Sequence, residues 1–372
     1  MNQVLFWMAA FIIFYTFFGY PILVRLLVPY FARPIRHANI TPTVTLLVAA
    51  YNEAEFIAEK IKNSLTLDYP PDQFSIVIVT DGSDDDTVDI VRRYKGQGVR
   101  LYHQPERRGK IAATNRVMPL IDSEIVIFTD ANTLLETGTI RAIIRNFADS
   151  TVGGVAGEKR VLGGNEGLYW RYESYLKRCD SALSSVMGAA GELFAIRKSL
   201  FQPPEPDALI EDFLMSMRLV DQGWRVVYEP EAIARERPTS HTASDWHRRT
   251  RIATGGFQSI GRLLPLLNPW RGRIAWQYWS HRVLRWAVTP FLFPIIYILN
   301  LSLIDQPLYQ FLWLAQTLFY CIALVGFFRD RLGKRKGIPQ IIFYFCLTNA
   351  AALIGFWRYI TNTQPVTWVK AR

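Results

Sequence analysis

The chain has 372 residues, half of them hydrophobic and 14% aromatic, and carries 42 Lys and Arg against 32 Asp and Glu, a formal net charge of +10. That length suits one large domain or two smaller ones. The basic balance could suit nucleic acid, but there is no zinc-finger spacing or nucleic-acid module, and much of the charge flanks apolar segments, where anionic headgroups would meet it. Cys179, Cys321 and Cys346 are too scattered to imply a disulfide framework or a metal cluster.

The first element is Val4 to Val24, an uncharged run long enough to cross a bilayer. It lacks the basic start and the cleavage site of a signal peptide and reads as a retained helix, so residues 1–31 are expected to form an N-terminal transmembrane segment.

Residues 40–240 read as a catalytic domain of α/β class. TVTLLVAA (Thr43 to Ala50) is a strand of the kind covered on both faces. A helix follows, with Ile57, Ile61 and Leu65 at helical spacing. SIVIVT (Ser75 to Thr80) is a second strand, ending at Asp81, after which Asp86-Thr87 is expected to cap a short helix holding Val88 and Val91. VRLYH is a third strand, followed by the basic turn ERRGKIAATN, and EIVIFT a fourth, ending at Asp130. The alternation predicts a mostly parallel central sheet, and such sheets bind ligands beyond the carboxyl ends of their strands. Tyr51-Asn52-Glu53, Asp81 and Asp130-Ala131-Asn132 fall there.

Asp130 and Asn132 could hold Mg²⁺ or Mn²⁺, which take few protein oxygens and complete an octahedron with phosphates and water. Alone, the pair reads equally well as an Asx turn capping the next helix. The co-location of Asp81 favours a site.

Beyond the α/β region, residues 241–285 mix Arg, Trp and Leu with Pro breaks, as interfacial helices do. Residues 286–372 are expected to form a C-terminal transmembrane region. Trp286 to Ile304 and Leu308 to Phe328 read as spans, and Ile341 to Trp357, interrupted by Thr348 and Asn349, as a shorter fourth segment left open. Basic residues follow the first span (Arg25, Arg33, Arg36) and the third (329–337), whereas the loop LIDQPLYQ has none, so the polar middle is expected in the cytoplasm and Met1 outside.

These motifs resemble those of membrane-integrated family 2 glycosyltransferases, related to cellulose, hyaluronan and poly-N-acetylglucosamine synthases, over nearly the whole chain. The resemblance implies an A-type nucleotide-sugar-binding fold. AAYNE would bring Ala50, Tyr51 and Glu53 to the donor, VTDGSDDDT would hold the nucleotide base through Asp81, and RRGKIAATN would place Lys110, with Arg107, near the diphosphate. FTDAN takes the place of the Asp-x-Asp metal motif, with Asp130 the direct ligand and Asn132 replacing the second Asp. LIEDFLMSMRL supplies Glu211 and Asp212, the latter as general base; in isolation that pair would read as an acidic helix start. SVMGAAGELFAIRKSL resembles the acceptor-side element. RRTRIATGG lies where the synthases carry Gln-x-x-Arg-Trp: Arg248 stands for the Gln, Arg251 keeps the Arg and Ile252 replaces the Trp. With Arg249, these cations would neutralise a leaving diphosphate, and the run also suits lipid headgroups. The final TWVKAR resembles a family ending of Trp-x-Lys-x-x-Arg type, which would put the tail in the cytoplasm.

The resemblance implies inverting transfer from a nucleotide-diphosphate sugar, with uracil the expected base, to a lipid-linked or glycan acceptor beside membrane lipids. Loss of the Trp platform favours transfer of one or a few sugars over a processive synthase that extrudes its polymer. A non-catalytic nucleotide sensor or scaffold would predict decay of the acidic positions, yet Asp81, Asp130 and Asp212 are all present. His241 and His247 are left outside the primary site.

Overall fold

In the computed structural model the described residues are 1–161, 167–236, 242–334 and 336–366, without the side chains of residues 161, 167–169 and 242–244. His241 and the C-terminal Trp368, Lys370 and Arg372 lie outside them. Chain contacts divide the molecule into two units, one running from Leu27 to Glu236, the other comprising Met1–Leu26 and residues 242–365.

The apolar and β-branched run Val44–Ala50 forms β1, buried at nearly every position because its alternating side chains pack against Ile57 and Ile61 on one face and Ala113 and Val117 on the other. On one side lies the parallel Phe74–Asp81 (β2), which in turn carries Val99–Gln104 (β3); on the other lies the parallel Ile125–Asp130 (β4). This is the expected parallel half, and it brings the carboxyl ends at Ala50, Asp81 and Asp130 to one edge.

The rest of the sheet comes from further along the chain. Thr133–Leu135 (β5) and Val152–Val161 (β6) precede Phe194–Arg197 (β7) and Arg225–Glu236 (β8). β7 lies antiparallel between β4 and β6, β6 runs parallel to β8, and β5 pairs antiparallel with β8 at the far edge. The eight-stranded order is β3-β2-β1-β4-β7-β6-β8-β5. Its α/β class and predominance of parallel pairs match the expectation.

Two local details differ from the sequence reading. The helix Ile57–Leu65 buries Ile57, Lys60, Ile61 and Ser64, whereas Leu65 faces solvent. The helix Thr87–Arg92 is capped by Asp85 rather than Asp86: Asp85 Oδ1 accepts from Thr87 N at 3.0 Å. Asp86 occupies the N-cap position with no side-chain hydrogen bond, because Asp85 reaches back over the turn.

Among the described residues four helices are long and apolar enough to cross a membrane: Asn2–Phe31, Arg273–Leu301, Pro307–Arg331 and Ile338–Ile360. The boundary expected between residues 285 and 286 falls inside one continuous helix, whose Trp279–Val288 stretch is π-helical. The fourth segment is a full 23-residue helix, with an 18-residue stretch of mean hydropathy 1.6. It packs along the helix Thr242–Arg262, where Gly355 admits Ala253 (a Cβ on Gly355 would lie 2.7 Å from that of Ala253) and Phe257 meets Phe356 with ring centroids 5.1 Å apart.

Candidate active site

The loop after β1 is tied to the loop after β2. Asn52, at φ 52°, donates its Nδ2 to Asp84 Oδ1 (2.5 Å) and accepts from Asp84 N (3.0 Å), while Glu53 N donates to Thr87 Oγ1 (2.8 Å) and Ala54 N to Asp85 Oδ2 (3.0 Å). The run of acids after Asp81 is thus largely a clamp between the two loops. Asp81 is buried; its Oδ2 accepts from the backbone N–H groups of Arg108 (2.8 Å) and Gly109 (2.5 Å). Its Oδ1 is buried and has no hydrogen-bond partner among the described residues, with Arg116 Nη1 3.9 Å away. Beside it the Arg107 guanidinium covers the Tyr51 ring at 3.8 Å. Gly82, at φ 68°, makes room for that arginine, since a Cβ there would lie 2.6 Å from Arg107 Cβ.

Lys110 opens the helix Lys110–Val117, and its Nζ lies 2.9 Å from Asp130 Oδ1 and 3.1 Å from Glu211 Oε1. Desolvation pulls this ammonium down, but the Asp130, Glu211 and Asp212 carboxylates outweigh it and hold Lys110 well above the ordinary lysine range. Glu211 and Asp212 begin the helix Glu211–Asp221. Burial, and then the Glu211 charge, push the Asp212 carboxyl up to about 7; Lys110 opposes this rise and Glu192 adds to it. Gly191 fits between these groups: a Cβ on it would stand 3.4 Å from both Asp212 Oδ2 and Lys110 Nζ. The glycine-containing segment read as acceptor-side therefore borders Asp212.

Asp130 and Asn132 connect β4 to β5. No helix follows them directly, which removes the Asx-cap alternative. Asn132 donates Nδ2 to Glu236 Oε1 at 3.1 Å, leaving the amide oxygen as the acceptor arm. Glu236 also pairs with Lys159, whose ammonium pairs with Glu192 as well. Among the described residues there is no group of three or more His, Cys, Asp or Glu able to cage a metal. What is present, one partly exposed carboxylate and one amide oxygen, fits an ion whose remaining ligands are donor phosphates and water. The lysine ammonium 2.9 Å from Asp130 shows that this carboxylate draws a cation.

Thus Ala50, Tyr51 and Glu53, Asp81, Lys110, Asp130, Asn132, Glu211 and Asp212 all lie within one unit, at or after the carboxyl ends of β1, β2 and β4 and at the starts of two helices. Arg248, Arg249 and Arg251 belong to the other unit, on the helix Thr242–Arg262. There Arg249 donates to Asp245 Oδ2 (2.8 Å) and Thr348 Oγ1 (2.7 Å), whereas Arg251 Nε is buried without a hydrogen-bond partner among the described residues.

The sequence reading missed Lys60. It is fully buried, donating to Thr129 Oγ1 (3.1 Å) and to the Thr133 carbonyl (2.5 Å), and burial pushes its ammonium down to about 7 against the opposing pull of Asp130. The available signal was its place in the i, i+3, i+4, i+7 stripe with Ile57, Ile61 and Ser64.

The family described as "Glycosyltransferase like family 2" matches residues 42–255, more than half of the chain and the whole of the region just described. The chain belongs to glycosyltransferase family 2. A poly-beta-1,6-N-acetyl-D-glucosamine synthase of Staphylococcus aureus is 28% identical over 254 residues, covering 63% of this glycosyltransferase and 61% of the relative. A beta-monoglucosyldiacylglycerol synthase of Nostoc is 28% identical over 249 residues, 61% of this chain and 53% of the relative. The chain therefore spans less than two thirds of the length of these curated relatives. Among solved structures, a mannosyltransferase from Pyrobaculum calidifontis, in complex with GDP-Man and Mn²⁺, superposes with a TM-score of 0.75 at 21% identity, covering 96% of this chain and 99% of that one, which establishes a shared fold.

Proposed function

We propose that this glycosyltransferase is an inverting, metal-dependent hexosyltransferase that moves a sugar from a nucleotide-diphosphate donor, a UDP-sugar first among them, to a lipid-linked or growing glycan acceptor at the cytoplasmic face of a membrane. The observation that carries the reading is the cluster in which Lys110 bridges Asp130 and Glu211 beside an Asp212 whose carboxyl titrates near 7.

Each residue has a role that follows from its surroundings. The orphaned Asp81 Oδ1 accepts an N–H from the base, and the Tyr51 ring under Arg107 flanks it. Asp130 and the Asn132 oxygen would hold Mg²⁺ or Mn²⁺, which would supply positive charge to the departing diphosphate. Lys110 shares that load. Asp212 takes the proton from the acceptor hydroxyl as its oxygen bonds to the anomeric carbon and the diphosphate leaves with the electron pair; a base near 7 suits this task at neutral pH. One displacement inverts the anomeric configuration.

Ile252 is exposed where the processive synthases carry Trp, which supports transfer of one or a few sugars over polymerisation. The relatives divide on this point, one named for a polymer and one for a glycolipid. The test uses the full chain in lipid nanodiscs with Mg²⁺ or Mn²⁺, a panel of nucleotide sugars, and lipid extract as acceptor. Metal-dependent release of one nucleoside diphosphate with a small labelled lipid product is expected. A long polymer would select the processive reading. Nucleotide binding without turnover of any donor would select the sensor or scaffold.

A further inference from the structure

We propose that Lys60 is a positioning residue for the metal-binding loop, its buried ammonium clamping both ends of Asp130-Ala131-Asn132 through Thr129 Oγ1 and the Thr133 carbonyl. The inference rests on the metal-dependent reading above and adds a residue to it.

Three observations carry it. Lys60 is 0% exposed, yet its two hydrogen-bond acceptors are a hydroxyl and a backbone carbonyl, and no carboxylate lies within ion-pair distance among the described residues. An ammonium buried that way is costly, and an apolar side chain of similar length would pack there at lower cost. Helix attachment does not account for it, because Asn63 already joins the helix to β5 by a reciprocal pair, Nδ2 to the Leu135 carbonyl and Leu135 N to Oδ1, both at 2.8 Å. What Lys60 alone does is grip the residues on either side of the loop. Thr129 Oγ1, having accepted from Lys60, donates to the Glu192 carbonyl at 2.9 Å. Glu192 follows Gly191, which borders Asp212. One ammonium therefore fixes the carboxylate end of β4 and, through one hydroxyl, the segment beside the base.

The test compares the full chain in nanodiscs with Lys60→Met and Lys60→Gln, measuring Mn²⁺ affinity by electron paramagnetic resonance in the presence of UDP or GDP, alongside thermal unfolding. Lys60→Met is expected to weaken Mn²⁺ binding roughly 10-fold or more, as loss of an outer-shell partner does, while Tm holds or rises. Lys60→Gln, which retains an N–H for the Thr133 carbonyl, is expected to regain part of the affinity. Unchanged Mn²⁺ affinity in Lys60→Met would overturn the inference. So would a loss of affinity that comes with a lowered Tm and no rescue by Gln, since that is the mark of a structural residue. A wild-type chain that binds no Mn²⁺ with either nucleotide would overturn the transferase reading itself, and this inference with it.

Discussion

Lys110 Nζ lies 3.1 Å from Glu211 Oε1, so one cation joins the Asp130 carboxylate at the end of β4 to the acidic start of the helix that carries Asp212. Glu211 raises its neighbour's carboxyl and Lys110 restrains that rise. The two groups set the charge balance in which a base can work near neutrality.

The pH dependence follows. Only ionised Asp212 can accept a proton, so kcat/KM should rise with pH through about 7 and level above it. Glu211→Gln removes one of the charges raising Asp212 and should move the midpoint of that limb to lower pH. A pH–rate profile of both proteins checks this; an unshifted midpoint would show that Glu211 does not act on the base.

Stability should carry the same signature with opposite value to the protein. A carboxyl held at about 7 when folded and near 3.8 when unfolded binds more protons in the native state between those values, so its contribution to stability falls as pH rises through that window. Asp212→Asn should therefore raise Tm relative to wild type at pH 8 and bring little gain at pH 4, as differential scanning fluorimetry at the two pH values would show.

Asp81 anchors the Arg108–Gly109 turn with one oxygen, and in the proposed reading the other accepts from the nucleotide base. Asp81→Ala removes both acceptors. A charged hydrogen bond contributes on the order of 1.5–3 kcal/mol, so nucleotide affinity should drop roughly 10- to 100-fold. Titration of UDP and GDP by calorimetry reads this directly.

Gly188 sits at φ 101°, and a Cβ there would lie 2.1 Å from the Phe213 ring, next in sequence to Asp212. Gly188→Ala combines backbone strain with a clash and should cost at least about 1–3 kcal/mol of stability, and turnover should fall as the displaced Phe213 disturbs the helix start at Asp212. Unfolding in denaturant and an activity assay measure the two effects.

Arg249 and Arg251 should separate. Arg249 is engaged by Asp245 and Thr348, so Arg249→Ala should loosen the packing of Thr242–Arg262 against Ile338–Ile360 and lower Tm by a few degrees. Arg251 Nε has no such partner among the described residues, and Arg251→Ala should leave Tm unchanged. Thermal unfolding of both variants decides this.

The parallel half of the fold was legible because β1, β2 and β4 are local runs of apolar and β-branched residues, β2 and β4 closing on Asp81 and Asp130. The far half was not. β7 enters antiparallel beside β4 across about 70 residues of chain, and Asn132 meets Glu236 across 104, pairings with no local periodicity to announce them. Thr348 interrupts an apolar run in the sequence, and its reason, the Arg249 guanidinium, is 99 residues away. Lys60 was missed because a lysine at a core position reads as a solvent-facing residue, and Leu65, at helical spacing with Ile57 and Ile61, faces solvent. Asp85, not Asp86, caps its helix because three consecutive acids offer no sequence basis for choosing among them.

The most direct measurement is single-turnover transfer by Asp212→Asn and wild type, in nanodiscs with saturating metal and the donor that the wild-type chain uses. The account predicts donor affinity near wild type for Asp212→Asn and a transfer rate lower by roughly 10²–10⁴. A variant that transfers sugar at the wild-type rate would contradict the assignment of Asp212 as the base and, with it, the proposed mechanism.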